Sequence, residues 1–177
     1  MRKTVFLLAS LFVMACGIQS VKAQTASASA SASASASAKA TIITPIAIDQ
    51  VADLNFGNIV AGTDAGTVTV DTEGNRTSST GITLPNATPG DFQAAKFTVT
   101  GLADATYAIT LPSSIDITHT NGVTTMTVDE FTSNPDEAGK LAADGKQTLL
   151  VGATLNVGAG QVAGDYTGEF SVTVAYN

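Results

Sequence analysis

QTLLVGATLNVG, residues 147–158, decides the class of this chain. Leu149, Val151, Ala153, Leu155 and Val157 fall at every second position, and a period of two belongs to a strand with one buried face. A helix needs apolar residues three and four apart, and no convincing amphipathic helix of that kind is present in the sequence. Downstream, YTGEFSVTVAYN (166–177) sets Tyr166, Phe170, Val172, Val174 and Tyr176 on one face and Thr167, Glu169, Ser171 and Thr173 on the other. It reads as one continuous terminal strand locked into a sheet.

Working upstream, the alternation recurs. TTMTVDEF (124–131) pairs Met126 with Val128, and IDITHT (115–120) pairs Ile115 with Ile117. TYAITLP (106–112) aligns Tyr107, Ile109 and Leu111, while KFTVTG (96–101) turns Phe97 and Val99 inward. A weaker strand spans Gly81 to Leu84, GTVTVD (66–71) aligns Val68 with Val70, and ADLNFGNIV (52–60) carries Leu54 and Phe56. TIITPIAI (41–48) places Ile42, Thr44, Ile46 and Ile48 on one side, with Pro45 marking an edge strand or a bend. Turn chemistry separates these runs. DTEGN (71–75), PNATPGD (85–91) and AGQVAGD (159–165) are turns or loops, Asn121–Gly122 is a hairpin signal, and SNPDEAGK (133–140) reads as the longest polar loop. Many short alternating strands give an all-β fold, an antiparallel β-sandwich with one wet and one dry face per sheet. A barrel is the second architecture compatible with the pattern. A transmembrane barrel fits less well, because the strands are irregular and lack aromatic girdles.

The totals agree with one exported domain. The chain has 177 residues, 13% of them charged, and a formal net charge of −7. Such a surface repels phosphate backbones and anionic membranes, so nucleic acid is not an expected partner. Arg2 and Lys3 precede the apolar run VFLLASLFVMA (5–15), and VKA ends at Ala23. This is the form of a secretory signal peptide cleaved after Ala23, and its run is too short to read as a membrane span. Cleavage removes Arg2, Lys3 and Lys22 and no acidic residue, which moves the charge from −7 to −10. VMAC (13–16) offers a competing reading, a lipid anchor on Cys16. Without Cys16 the exported chain has no disulfide, so core size or partners must hold it together. Residues 24–40 form an Ala/Ser spacer whose methyl groups bury too little to order a backbone. Silk-like stacking of that repeat is its other reading. The layout is thus a signal peptide (1–23), a spacer (24–40) and a sandwich domain (41–177).

The chemistry inventory is thin. His119 is the one imidazole and falls beside a hairpin turn, where a surface role is expected. No G-x-S-x-G elbow occurs. Asp71, Glu73 and Asn75 alternate as calcium ligands do, and Asp136 and Glu137 share another loop, but turn chemistry explains both stretches. No zinc or haem ligand set is evident. There is no Trp, and Tyr107, Tyr166 and Tyr176 fall in strand patterns, as core or rim residues rather than sugar platforms. No catalytic, metal or cofactor residue is assigned.

Five stretches together carry a resemblance: ITPIAI (43–48), ADLNFGNIVAGTDAGTVTV (52–70), FTVTGLADATYAITLP (97–112), MTVDEFTSNP (126–135) and VGATLNVGAGQVAGDYTGEFSVTVAYN (151–177). The sequence closely resembles the bacterial family designated domain of unknown function 4402 (DUF4402), over nearly all of Thr41 to Asn177. Its recurring motifs map to Gly57, Gly62, Gly101, Pro112, Gly152, Gly158, Gly168 and the strand hydrophobes, all turn or packing positions. Asp165 and Glu169 depart from the pattern, and the Ala/Ser spacer is extra. The resemblance implies an exported protein of Gram-negative bacteria with an immunoglobulin-like sandwich, similar in outline to fimbrial subunits, and it supplies no catalytic residues. In fimbrial subunits of the chaperone–usher kind, a neighbour's N-terminal extension fills an incomplete sandwich. The expectation is a non-catalytic cell-envelope or extracellular structural protein, a fimbria-like subunit or adhesin module. Its expected partners are its own copies or another envelope protein, joined by β-strand addition. The alternative is a secreted carbohydrate- or ligand-binding sandwich. Ile42, Thr44, Ile46 and Ile48 serve either as the domain's own strand or as a neighbour's, and the sequence leaves both open.

Overall fold

A computed structural model describes residues 31–177, so the expected signal peptide, Cys16 and the first part of the expected spacer lie outside the described residues. Residues 31–40 are exposed and carry no regular structure. Residues 41–177 form one unit. Its strands are β1 (Ala47–Ala52), β2 (Asn55–Phe56), β3 (Val60–Ala61), β4 (Gly66–Val70), β5 (Arg76–Ser78), β6 (Ile82–Thr83), β7 (Phe92–Gln93), β8 (Ala95–Thr100), β9 (Thr106–Thr110), β10 (Ser114–His119), β11 (Thr125–Asn134), β12 (Ala138–Lys140), β13 (Lys146–Val157), β14 (Tyr166–Thr167) and β15 (Thr173–Tyr176). No helix occurs among the described residues, and every strand pair is antiparallel. The fold is an antiparallel β-sandwich.

The stretch that decides the fold is also its axis. β13 lies in an eight-stranded sheet with the path β1-β8-β13-β11-β10-β14. One edge of β13 pairs with β11. The other edge has two partners in succession: β8 along Lys146–Val151 and β4 along Ala153–Val157. The sheet therefore forks at Gly152, the residue between the two ladders. A Cβ there would fall on the Val70 carbonyl oxygen and against the Asp71 backbone, so only glycine lets both partners approach.

The fork divides the core. Leu149 and Val151 join Ala95, Val99, Tyr107 and Leu141, covered by the three-stranded sheet β12-β9-β15. Ala153, Leu155 and Val157 join Val68, Ile82 and Val128, covered by Phe56 of β2, Ala61 of β3 and the adjoining Leu54 and Ile59. Leu54 and Phe131 touch both clusters. Phe131 reaches that position through a bulge in β11, where Glu130 takes a left-handed backbone (φ 47°) and the register with β13 shifts between Asp129 and Thr132. Arg76 braces the β2 side, donating to the carbonyl oxygens of Phe56 (2.7 Å), Asn58 (3.1 Å) and Pro89 (3.2 Å) while its guanidinium lies 4.3 Å over the Phe92 ring.

Three expectations are corrected. The first strand begins at Ala47 rather than Thr41, and Ile42 is 98% exposed while Ile43 is 51% exposed. Pro45 has no N–H for a ladder and restricts Thr44, so pairing cannot propagate through it. Ile46 and Ile48 do pack on the core. The polar loop 133–140 is shorter than expected, because β11 runs to Asn134 and Ala138–Lys140 pairs with β9. The terminal stretch is also two strands in two sheets: β14 pairs with β10, and β15 pairs with β9. Phe170 and Val172 pack inward between them, with Phe170 5.1 Å from Phe131 and 6.3 Å from Phe97 between ring centroids.

Candidate functional site

His119, Asp71 and the three tyrosines each have a structural partner. His119 ends β10, where its Nδ1 accepts the Asn121 N–H (2.9 Å) and its Nε2 faces the Ala163 carbonyl (3.2 Å). A neutral ring protonated on Nε2 satisfies both contacts. The ring is half-buried and stands edge-on to Tyr166 at 4.9 Å, which makes it a brace between the β10–β11 hairpin and the 158–165 loop.

Asp71 behaves the same way. Its Oδ1 accepts the N–H groups of Glu73 (2.9 Å) and Asn75 (2.8 Å), and its Oδ2 accepts the Asn75 side-chain amide (2.9 Å). The side-chain bond from Asn75, followed by the backbone bonds, holds its carboxyl below the usual range. Because the folded value lies below the unfolded one, the turn's contribution is complete above the unfolded carboxylate range of about 3.9 and is lost as pH falls through the lowered value. An NMR titration should therefore show the Asn75 amide signals moving at a lower pH than an ordinary aspartate titrates, and in Asp71→Asn that acid step should vanish. Asp136 and Glu137 are exposed in the β11–β12 turn. Among the described residues, no three His, Cys, Asp or Glu side chains converge as a metal would need.

All three tyrosine hydroxyls are engaged inside the fold. Tyr107 is fully buried, donates to Gln147 Oε1 (2.8 Å), and has its pKa raised by burial. Tyr166 donates to the Val162 carbonyl (2.7 Å) and accepts from Gln161 Nε2 (2.9 Å). Tyr176 donates to the Thr44 carbonyl (2.8 Å) and accepts the Leu102 N–H (2.7 Å). None presents a ring and a free hydroxyl together, as a sugar platform would. Two shallow depressions of about 490 Å³ each lie on the outer face of β4, β11 and β13. Their linings mix polar and apolar side chains, and in the first the hydroxyls of Thr69 and Thr154 meet at 2.9 Å. Neither brings a nucleophile to a base.

The feature with consequences outside the domain is the β1 edge. β1 pairs with β8 alone, Ala47 opposite Thr100 and Ile48 opposite Val99, with a register shift between Gln50 and Ala52. Four of its six residues are exposed, Val51 at 56%. Its side-chain grip on the body is Ile48, helped by the preceding Ile46. Removing β1 would bare the N–H and C=O row of β8 above Val99 and Phe97, the kind of edge that accepts another strand.

The region that contains this edge is also the region that matches a known family. Residues 46–176 match DUF4402, described as a domain of unknown function, from the residue before β1 to the tyrosine that closes β15. The chain belongs to the DUF4402 family. Comparison with curated proteins and with solved structures finds no match. Within this DUF4402 domain Gly57 and Gly101 lie between strands, and Gly152 lies inside β13 at the fork. Sequence reasoning missed Leu102 and named Thr44 only as a strand position; both contribute only backbone atoms, to the Tyr176 hydroxyl. The anchoring role of Tyr176 was missed with them.

Proposed function

We propose that this protein is a non-catalytic structural module of the cell envelope or extracellular space that joins its neighbours by β-strand addition at the β1–β8 edge. It is fimbria-like or adhesin-like in outline. The observation that carries this reading is β1 itself: a first strand hydrogen-bonded to one neighbour, mostly exposed, and preceded by uncovered Ile42 and Ile43. A strand held in that way can be exchanged for the same strand of another molecule at little net cost, since the bonds broken are remade. The exported location rests on the signal-like residues 1–23, and fractionation of cells should find the protein outside the cytoplasm. A second reading, a secreted carbohydrate- or ligand-binding sandwich, draws on the threonine-lined depressions of the outer face.

Particle masses separate the two readings. Material recovered from the cell surface should give a ladder of integral multiples of one chain that survives mild detergent. A clean monomer that shifts only with added oligosaccharide would favour the second reading.

A further inference from the structure

The Tyr176 hydroxyl sits where three segments meet. It bonds the Thr44 carbonyl and the Leu102 N–H, and Gly101 passes so close that a Cβ there would fall on the hydroxyl oxygen. The Tyr176 ring packs in the core cluster of Val99, Tyr107 and Leu149, so the group that holds Thr44 belongs to the fixed body of the domain. Thr44 belongs to no strand, and the chain before it carries exposed Ile42 and Ile43. Beyond the ladder of β1, this hydroxyl is the polar contact that holds the arm ahead of the strand.

We propose that the Tyr176 hydroxyl and the Leu102 amide form an anchoring site for the extended main chain of residues 41–48, and that in an assembly the arm it holds comes from a second copy of the chain. The inference rests on the strand-addition reading and names its partner. The occupant is a second copy because the site is cut to this segment: Thr44 reaches the hydroxyl while Ile48 stands opposite Val99. Every copy carries the same residues at the same spacing. TIITPIAI is uncharged, so an acidic body does not repel it. The arm leaves its own body through Asp53 and Leu54, the only residues between β1 and β2, and Leu54 packs into both clusters. Two residues span at most about 7 Å, so an exchanged arm places the second body directly beside the first.

One hydroxyl that holds the arm both within a chain and between chains has a specific kinetic signature. Its loss weakens both bound states alike, so the partition between them stays put while release quickens. The test uses the full chain, Tyr176→Phe, and a labelled peptide of residues 41–52 as the incoming arm. In the variant without peptide, amide exchange in residues 47–52 should rise about tenfold, the effect of one hydrogen bond of ordinary net strength. Peptide capture should quicken by the same factor, while the fraction captured at equilibrium changes by less than about twofold. Gly101→Ala, which leaves the tyrosine in place and displaces its hydroxyl, should reproduce both results.

Unchanged exchange in residues 47–52 in both variants overturns the anchor and leaves strand addition standing. Faster exchange that spreads equally through β11 and β13 also overturns it, because Tyr176 would then serve general stability. Faster opening of residues 47–52 with no capture of the peptide by either chain removes the second copy as occupant, and the strand-addition reading with it.

Discussion

Gly152→Ala should destabilise the domain by about 3 kcal/mol, at the upper end of what a misplaced methyl costs in a packed site. Most such sites relieve strain by turning a side chain. Here the obstructing atoms are the Val70 carbonyl oxygen and the Asp71 backbone, at the point where β4 ends and β8 takes over the same edge of β13. Moving them means opening the Val70–Ala153 end of the β4 ladder or the Ala95–Val151 end of the β8 ladder, and both carry fully buried side chains. Domains of this size hold only about 5–15 kcal/mol in total. Urea denaturation should show a lower midpoint with an unchanged slope. A midpoint within experimental error of the parent would mean that the fork does not constrain residue 152.

The second large effect concerns the edge strand. A chain beginning at Ala52 should lose on the order of 3 kcal/mol, mainly the partial burial of Ile46 and Ile48 and the Thr44–Tyr176 bond. The ladder bonds of β1 contribute less than their number implies, because the removed residues no longer have to be ordered. The shortened protein should melt early and self-associate through the bared edge of β8, and added peptide 41–50 should restore both its melting temperature and its monomeric state. A shortened protein that melts like the parent and ignores the peptide would end the strand-addition proposal.

Much of this fold is written in side-chain alternation. The buried face of β13 is the set Leu149, Val151, Ala153, Leu155 and Val157 read from the sequence, and Asn121–Gly122 turns β10 into β11. What alternation cannot report is which strand forms the ladder. Along residues 166–176 the inward residues continue past Thr167 without a break, so nothing in the pattern shows that the hydrogen-bond partner changes from β10 to β9. Polar strands are equally silent, and Ala138–Lys140 has the composition of a loop. In TIITPIAI the error runs the other way, since an apolar period persists where the proline forbids the ladder. The candidate site was legible only as a tyrosine near the end of the chain. Its partners are a carbonyl and an amide that any residue could supply.

The passage of residues 166–176 from the large sheet to the small one has a mechanical meaning. This one length of chain is stitched into the first layer at His119–Tyr166 and into the second at Tyr107–Tyr176, with Phe170 wedged between. A tensile load arriving through β1 meets the Thr44–Tyr176 contact, and so reaches β15 as well as β8. In an assembly joined by strand addition, that seam would divide the load between the two layers instead of leaving it on the β8 ladder alone.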